Sequence, residues 1–145
     1  MILEFLLWTF CLYWIHRIIH KIPKLKNIHF AHHRFIARNP NVSWHWSNLL
    51  LINDNVESTI DLWITEVLPT MLISFLLNAW WLSIFYYLWA ALVQEWIEHD
   101  NTFNFYPLTS GRWHLIHHTN VTRNFGLFFP VWDIVFGTNE KLHPR

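Results

Sequence analysis

Residues 67–94 read VLPTMLISFLLNAWWLSIFYYLWAALVQ and contain no Asp, Glu, Lys, Arg or His. This stretch is too long for one comfortable membrane crossing, which takes about 20 apolar residues. An interruption at Asn78 and Ala79 predicts a helical hairpin with arms near residues 61–77 and 80–96. Pro69 then falls in the first turns of the first arm, where proline is tolerated or produces a kink.

A second apolar segment opens the chain. Residues 2–15 are apolar except for Glu4 and Thr9. The segment lacks the positively charged start and the small-residue cleavage site of a secretory signal, so we expect a retained membrane helix. Together with the hairpin it predicts an all-α integral membrane protein with about three membrane helices.

Composition supports this class. Of the 145 residues, 53% are hydrophobic and 14% are charged, whereas a soluble domain has about 25% charged residues. The length suits one domain, residues 1–145. The net charge is zero and no basic tract is present, which excludes nucleic acid as a partner. Cys11 is the only cysteine, so an intrachain disulfide is excluded.

The basic residues form two groups that flank histidine-rich segments. The first group is Arg17, Lys21, Lys24, Lys26, Arg34 and Arg38, and the second is Arg112, Arg123, Lys141 and Arg145. Positive charge near membrane ends marks the cytoplasmic side, so we expect a cytoplasmic histidine-rich helical cap and an N-terminus outside. Glu57, Asp61 and Glu66 are interpreted as capping and flanking the start of the next helix.

Three short clusters contain eight of the eleven histidines. They are His16 and His20; His29, His32 and His33; and His114, His117 and His118. Histidines three or four residues apart share a helix face, and convergent imidazoles indicate a transition metal. In the two triplets the middle histidine is offset and can reach a second ion. Eight imidazoles exceed the needs of one ion, so we expect two metals close together, with iron as the better fit.

A further pair of candidate ligands lies at the end of the second hairpin arm. Glu95 and His99 are four residues apart, and an ionisable pair at the membrane edge is a functional hypothesis. His99 is expected to be a ligand. Glu95 is either a ligand or, with Glu98 and Asp100, a mark of where the helix meets water. His45 is interpreted as part of an interfacial aromatic belt with its tryptophan neighbours.

In its order and spacing of histidine clusters, the chain resembles the fatty acid hydroxylase/sterol desaturase superfamily of membrane non-haem di-iron enzymes. Residues 13–20 look like the first histidine box of that family, residues 29–33 like the second and residues 114–118 like the last. Residues 124–126 and 132–138 resemble the segment that follows the last box. The resemblance covers most of the chain.

The resemblance implies a lipid hydroxylase or desaturase that uses O2. Its two iron ions would be bound by His16, His20, His29, His32, His33, His99, His114, His117 and His118. Electrons would come from an external carrier, either a cytochrome b-type haem protein or a ferredoxin with its reductase. Trp132, Asp133, Gly137 and Thr138 would serve the fold, and Asp133 and Arg123 would support the ligands.

Two departures from the family pattern stand out. Glu95 occupies a position where the family usually has histidine, so a carboxylate replaces an imidazole. Only fifteen residues precede His16, whereas family members usually carry more membrane helix there. The sequence is compatible with a minimal family member and with a chain incomplete at its N-terminus, and a homo-oligomer could complete the site.

Three other functions have requirements that can be compared with the same residues. A carotenoid-ring hydroxylase also uses histidine boxes. A non-catalytic haem carrier would need paired axial histidines facing across two membrane helices, yet these histidines flank the apolar segments. A metal transporter would need polar or ionisable groups through the bilayer midplane, and residues 67–94 offer essentially none.

Overall fold

The structure is a computed structural model that describes residues 1–40, 42–53 and 55–140. Within these ranges the chain is helical and has no strand. We number the α-helices in chain order. They are α1 (Ile2–Ile19), α2 (Pro23–Arg38), α3 (Val56–Leu76), α4 (Trp81–Gln94), α5 (Arg112–Thr119) and α6 (Val131–Val135). A short 3-10 helix, Trp46–Leu50, lies in the connection between α2 and α3.

A tight link joins α1 to α2. Helix α1 extends beyond the predicted residues 2–15 to Ile19 and therefore includes His16. Ile22 is extended and α2 begins at Pro23, where proline is favoured because the first helical N–H needs no partner. This link brings the second histidine cluster, in the middle of α2, next to the first cluster at the end of α1.

Helices α3 and α4 form the predicted hairpin. Asn55 caps α3 by accepting a hydrogen bond from the Ser58 N–H at 2.7 Å. The chain reverses around Asn78, which has a positive φ of 49°, a conformation that asparagine tolerates better than most residues. The predicted break at Asn78 is therefore confirmed.

Both hairpin helices contain a π-helical turn, Trp63–Val67 in α3 and Ala90–Gln94 in α4. The first directly precedes the turn that contains Pro69, and it accommodates the residue that cannot donate a backbone hydrogen bond. π-turns are frequent at functional sites. The first contains Glu66, and the second directly precedes Glu95; both residues are described below.

Two of the helices are long and apolar enough to cross a membrane. They are α1 and α3, with mean hydropathies of 1.5 and 1.4, while α4 is apolar but shorter. The structure thus supports two of about three expected membrane helices by length and composition. Large apolar side chains on the hairpin point outward, including Leu72, Phe75 and Ile84, which are 59%, 64% and 63% exposed. An exposed apolar surface of this kind fits a lipid environment.

Helix α1 packs against the hairpin through an aromatic core. Trp8 and Leu82 are fully buried, and the Trp8 ring lies 4.9 Å from the Phe128 ring. The Trp8 indole N–H donates to the Thr70 hydroxyl at 3.0 Å, so the polar group of this buried tryptophan is satisfied. Through Phe128, the core holds the C-terminal segment against α1, the helix that carries the first histidine cluster.

The acidic residues of α3 differ from the sequence interpretation. Glu57 lies in the first turn as predicted, but Asn55 is the cap. Asp61 and Glu66 point inward: Asp61 is 5% exposed, and Glu66 accepts hydrogen bonds from the Tyr86 hydroxyl and the Gln94 amide at 2.8 Å each. The interpretation of these two as flanking residues was wrong, because linear position does not show which helix faces meet.

Candidate metal centre

A first group of imidazoles assembles from three helices. His16, His20, His29 and His117 each offer a ring nitrogen, and these four atoms lie within 4.8 Å of one another. The Nε2 atom of His16 is 3.2 Å from that of His29, and the Nε2 atoms of His20 and His117 are also 3.2 Å apart. Nitrogens bound about 2.1 Å from one ion lie about 3 Å apart when they are neighbours in its coordination sphere. The spacing therefore suits a single ion.

A second group lies beside the first. It comprises His32, His99, His114 and His118, whose ligand atoms also lie within 4.8 Å of one another. His114 and His118 share a face of α5, with their Nε2 atoms 3.0 Å apart. His99 comes from the segment that follows α4, and its Nε2 is buried with no hydrogen-bond partner.

In each triplet, the middle histidine belongs to a different group from the first histidine. On α2, His29 is in the first group and His32 in the second; on α5, His117 is in the first group and His114 in the second. This follows from helix geometry, because residues four apart align while the residue between them is rotated away. Helices α2 and α5 therefore each contribute histidines to both groups.

His33 lies between the two groups. Its Nε2 is 2.9 Å from the Nε2 of His29, and its ring stacks on that of His118 with centroids 4.2 Å apart. It is buried, and its Nδ1 has no hydrogen-bond partner. All the predicted histidines of the three boxes, together with His99, are therefore brought to one place.

The protonation of these rings follows from their partners. The Nδ1 atoms of His16 and His117 contact the carbonyl oxygens of Phe125 and Arg123 at 2.9 Å and 2.7 Å, and His99 Nδ1 contacts the Glu95 carbonyl at 3.0 Å. A carbonyl oxygen only accepts, so each Nδ1 must carry the proton. The Nε2 atoms are then left with lone pairs, which are the form that binds metal.

Two of these lone pairs face each other. His29 Nδ1 donates to the Asp61 carboxylate at 2.9 Å, so its Nε2 carries a lone pair like that of His16. The two Nε2 atoms lie 3.2 Å apart and cannot hydrogen-bond to each other in these tautomers. A cation between them removes this repulsion, and the donor set therefore fits a transition metal.

Burial keeps the imidazoles neutral. It lowers the pKa of His32, His114, His117 and His118 well below the usual value for histidine, and neighbouring imidazoles lower it further. Burial also lowers the pKa of His99 to about 4. A neutral ring is required for metal ligation, so the site favours bound metal over bound protons at neutral pH.

Asp61 is a candidate supporting residue that sequence reasoning missed. Its side chain on α3 reaches His29 on α2, and both side chains are buried. A carboxylate that accepts the second ring N–H of a ligand histidine fixes its orientation and raises its basicity. The only signal in the sequence was an acidic residue near a predicted membrane helix.

Carboxylates also surround a small cavity beside the histidines. The cavity has a volume of about 30 Å³, and Glu66, Glu95 and Glu98 line it together with His99 and His114. Glu98 Oε1 lies 3.9 Å from His114 Nδ1, too far for a hydrogen bond. Burial, reinforced by the charges of Glu66 and Glu95, raises the pKa of Glu98 well above its usual range. Glu95 is 3% exposed, so it does not mark a helix end in water.

The C-terminal segment contacts the first group through backbone carbonyl oxygens, which bind the Nδ1 atoms of His16 and His117. Asp133 accepts hydrogen bonds from the backbone N–H groups of Phe125 and Gly126, both at 2.8 Å, and from the Thr138 hydroxyl at 2.7 Å. The same peptide segment places the Phe125 carbonyl on His16. Arg123 acts through its backbone oxygen on His117 and not through its guanidinium, which donates to the Gly137 carbonyl at 2.9 Å.

Of the histidines that the structure describes, only His45 lies apart from both groups and from His33. His45 caps the 3-10 helix by accepting a hydrogen bond from the Ser47 N–H at 3.2 Å. His143, like the basic residues Lys141 and Arg145, lies outside the described residues. The interpretation of His45 as part of an interfacial aromatic belt stays a prediction.

The chain is similar to a known family and to several characterised proteins. A family model described as fatty acid hydroxylase matches residues 1–138. A Delta(7)-sterol 5(6)-desaturase of Aspergillus fumigatus is 29% identical over 139 residues, which cover 91% of this chain and 36% of that protein. Those of Gibberella zeae and Leptosphaeria maculans are 29% and 27% identical, over 92% and 90% of this chain and 36% and 34% of theirs.

The chain spans about a third of the length of the curated relatives that it matches. These relatives are desaturases, which are oxidoreductases. No protein of solved structure shows significant similarity to this chain.

Proposed function

Since this chain belongs to the fatty acid hydroxylase family, we propose that it is a membrane-bound oxidoreductase that hydroxylates or desaturates a lipid with O2. The observation that carries the proposal is the pair of adjacent four-imidazole groups whose ring nitrogens converge. No other arrangement in the described part of the chain offers comparable metal-binding chemistry.

The residues present fit two iron ions. One ion would be held by His16, His20, His29 and His117, and the other by His32, His99, His114 and His118. His33 lies where it could serve either ion. We propose Glu95 as an additional oxygen ligand, because it lines the same cavity as His99 and His114. Mixed imidazole and carboxylate ligation suits iron.

Bound iron would supply the redox chemistry that activates O2 towards an unactivated C–H bond. Hydroxylation consumes one O2, two electrons and two protons, and yields one hydroxyl group and one water. The protein's residues hold the ligand rings neutral, fix their tautomers and exclude bulk water from the buried groups. An external carrier, either a cytochrome b-type haem protein or a ferredoxin, would supply the two electrons one at a time.

The lipid substrate would reach the site from the bilayer. The outward-facing apolar side chains of α3 and α4 support this route, because helices that face lipid would bring the acyl-chain layer close to the histidine groups. Because the relatives above are sterol desaturases, sterols are the first substrate class to test, followed by fatty acyl lipids. The basic residues around the site favour its cytoplasmic placement.

A substrate assay with matched variants tests the proposal. Iron-loaded protein with a chemical reductant is expected to oxidise a sterol or acyl substrate and not a carotenoid, with products identified by mass spectrometry. His32→Ala and His117→Ala each remove one imidazole from a different group, so each should abolish turnover. His45→Ala changes a histidine outside both groups and should retain it. Turnover retained by both His32→Ala and His117→Ala would contradict the assignment.

A further inference from the structure

A cationic cavity lies beside the first histidine group. It occupies about 250 Å³ at the junction of α1 and α2, where Arg17, Lys21 and Lys26 line it around His20 and Phe125. Among the residues that the structure describes, no acidic side chain lines it. The cavity therefore has the charge to receive an anionic group.

The sequence around the cavity has one sign of charge. Residues 17–38 contain six Lys and Arg residues and neither Asp nor Glu. Aromatic groups hold two of the cavity's cations: the Arg17 guanidinium lies 4.9 Å from the Trp14 ring centroid, and the Lys26 ammonium lies 5.0 Å from that of Phe30. These contacts position the cations without neutralising them.

His20 connects the cavity with the metal centre. Its ring is only partly buried, and its Nε2 lies 3.2 Å from the Nε2 of His117. One imidazole thus separates an anion-binding cavity from the group that would hold a metal ion.

We propose that this cavity is the docking site for the acidic surface of a one-electron carrier protein. The proposal rests on the proposed function, which requires two electrons for each O2. A carboxylate of the carrier enters between Lys21 and Lys26 and brings the carrier's redox group beside His20. Each reduced carrier is oxidised by one electron, and two such encounters supply one turnover.

A phospholipid headgroup is the main competing occupant, because the cavity lies at the end of a candidate membrane helix. The cavity's direct connection with His20 favours the carrier. A headgroup site gains nothing from a ligand imidazole in its wall, whereas electron transfer requires a short path to the metal.

Binding to the metal-free chain tests docking without relying on catalysis. The probe is an oxidised plant-type [2Fe–2S] ferredoxin, an acidic carrier, added to the full chain in phosphatidylcholine nanodiscs at about 50 mM salt. Lys21→Glu with Lys26→Glu should weaken binding at least about tenfold. The control pair, Arg34→Glu with Arg38→Glu, makes the same charge change at exposed positions of α2 outside the cavity. It should weaken binding less than about threefold.

Reduction of the iron-loaded protein gives the second readout. Stopped-flow oxidation of reduced ferredoxin should slow at least about tenfold in the Lys21 and Lys26 double variant at low salt. Dithionite reduction in about 0.5 M salt, where charges are screened, should be unchanged.

The proposal would be overturned if the unaltered chain showed no saturable binding of ferredoxin, or if the control pair weakened binding as much as the Lys21 and Lys26 double variant. It would also be overturned if the double variant lost affinity for phosphatidylserine vesicles but kept its affinity for ferredoxin. Failure of the proposed function would look different, since lipid oxidation with dithionite would then be absent from the unaltered iron-loaded protein.

Discussion

At the scale of single residues, the hydrogen bonds of the Nδ1 atoms decide what the site can bind. Backbone carbonyls accept from His16, His99 and His117, and Asp61 accepts from His29. Each bond fixes a tautomer and directs a lone pair on Nε2 towards other imidazoles. The protein's own hydrogen bonds therefore hold these imidazole rings in fixed orientations.

Replacing Asp61 tests this orientation directly. Asp61→Ala should weaken iron binding about 10- to 100-fold, because His29 loses the acceptor that fixes its ring. Asp61→Asn, which keeps a neutral acceptor, should have a smaller effect. Competition with a chelator measures the affinity.

Glu57→Ala is the matched control for this test. It removes an exposed carboxylate one turn earlier on the same helix, and iron affinity should be unchanged. Equal affinities for Asp61→Ala and the unaltered chain would show that the His29–Asp61 contact does not orient a ligand.

Glu95 offers a second test at this scale. If its carboxylate binds iron, Glu95→Ala should lose metal from the second group, while Glu95→His, which restores the usual family residue, should keep it. Iron content and the Mössbauer isomer shift distinguish the three proteins. A Glu95→Ala protein with the full iron content and an unchanged spectrum would exclude Glu95 as a ligand.

At the scale of helices and loops, periodicity and turn residues predicted much of the architecture. The hairpin, the break at Asn78 and the short helix carrying the third cluster all follow from local sequence. The inward direction of Asp61 and Glu66 does not, because it depends on how α3 packs against α2 and α4. Contacts between distant segments, such as Asp133 with the Phe125 peptide, are equally invisible to local patterns.

The loop behind the first group gives a prediction about stability. A Cβ added at Gly126 would lie 2.8 Å from both Asp133 Oδ2 and the Phe129 carbonyl oxygen. Gly126→Ala should therefore cost about 1–3 kcal/mol of unfolding free energy through overpacking. It should also lower iron affinity, because the Phe125 carbonyl that holds His16 must move.

Gly137→Ala is the comparison for this prediction. Gly137 has a φ of 66°, but a Cβ there would have no heavy atom within 4 Å. Backbone strain alone should cost about 1–2 kcal/mol, and iron affinity should stay unchanged. Thermal melting in detergent and chelator competition measure both effects. Unaltered iron affinity in Gly126→Ala would contradict the supporting role of this loop.

At the scale of the whole molecule, polar and apolar groups are distributed as a lipid environment requires. Buried positions include His33, Asp61 and Glu98, while large apolar side chains such as Leu72 and Phe75 are exposed. The sequence indicated this class through its low charged fraction. The side of the membrane, the electron donor and the oligomeric state stay predictions, since they depend on surroundings beyond one chain.

The central claim is that the two imidazole groups hold two iron ions as one centre. Iron analysis and Mössbauer spectroscopy of protein expressed with ⁵⁷Fe and purified in mild detergent test it most directly. The account predicts about two iron ions per chain, antiferromagnetically coupled when oxidised. Zinc alone, or no stoichiometric metal after iron supplementation, would contradict it.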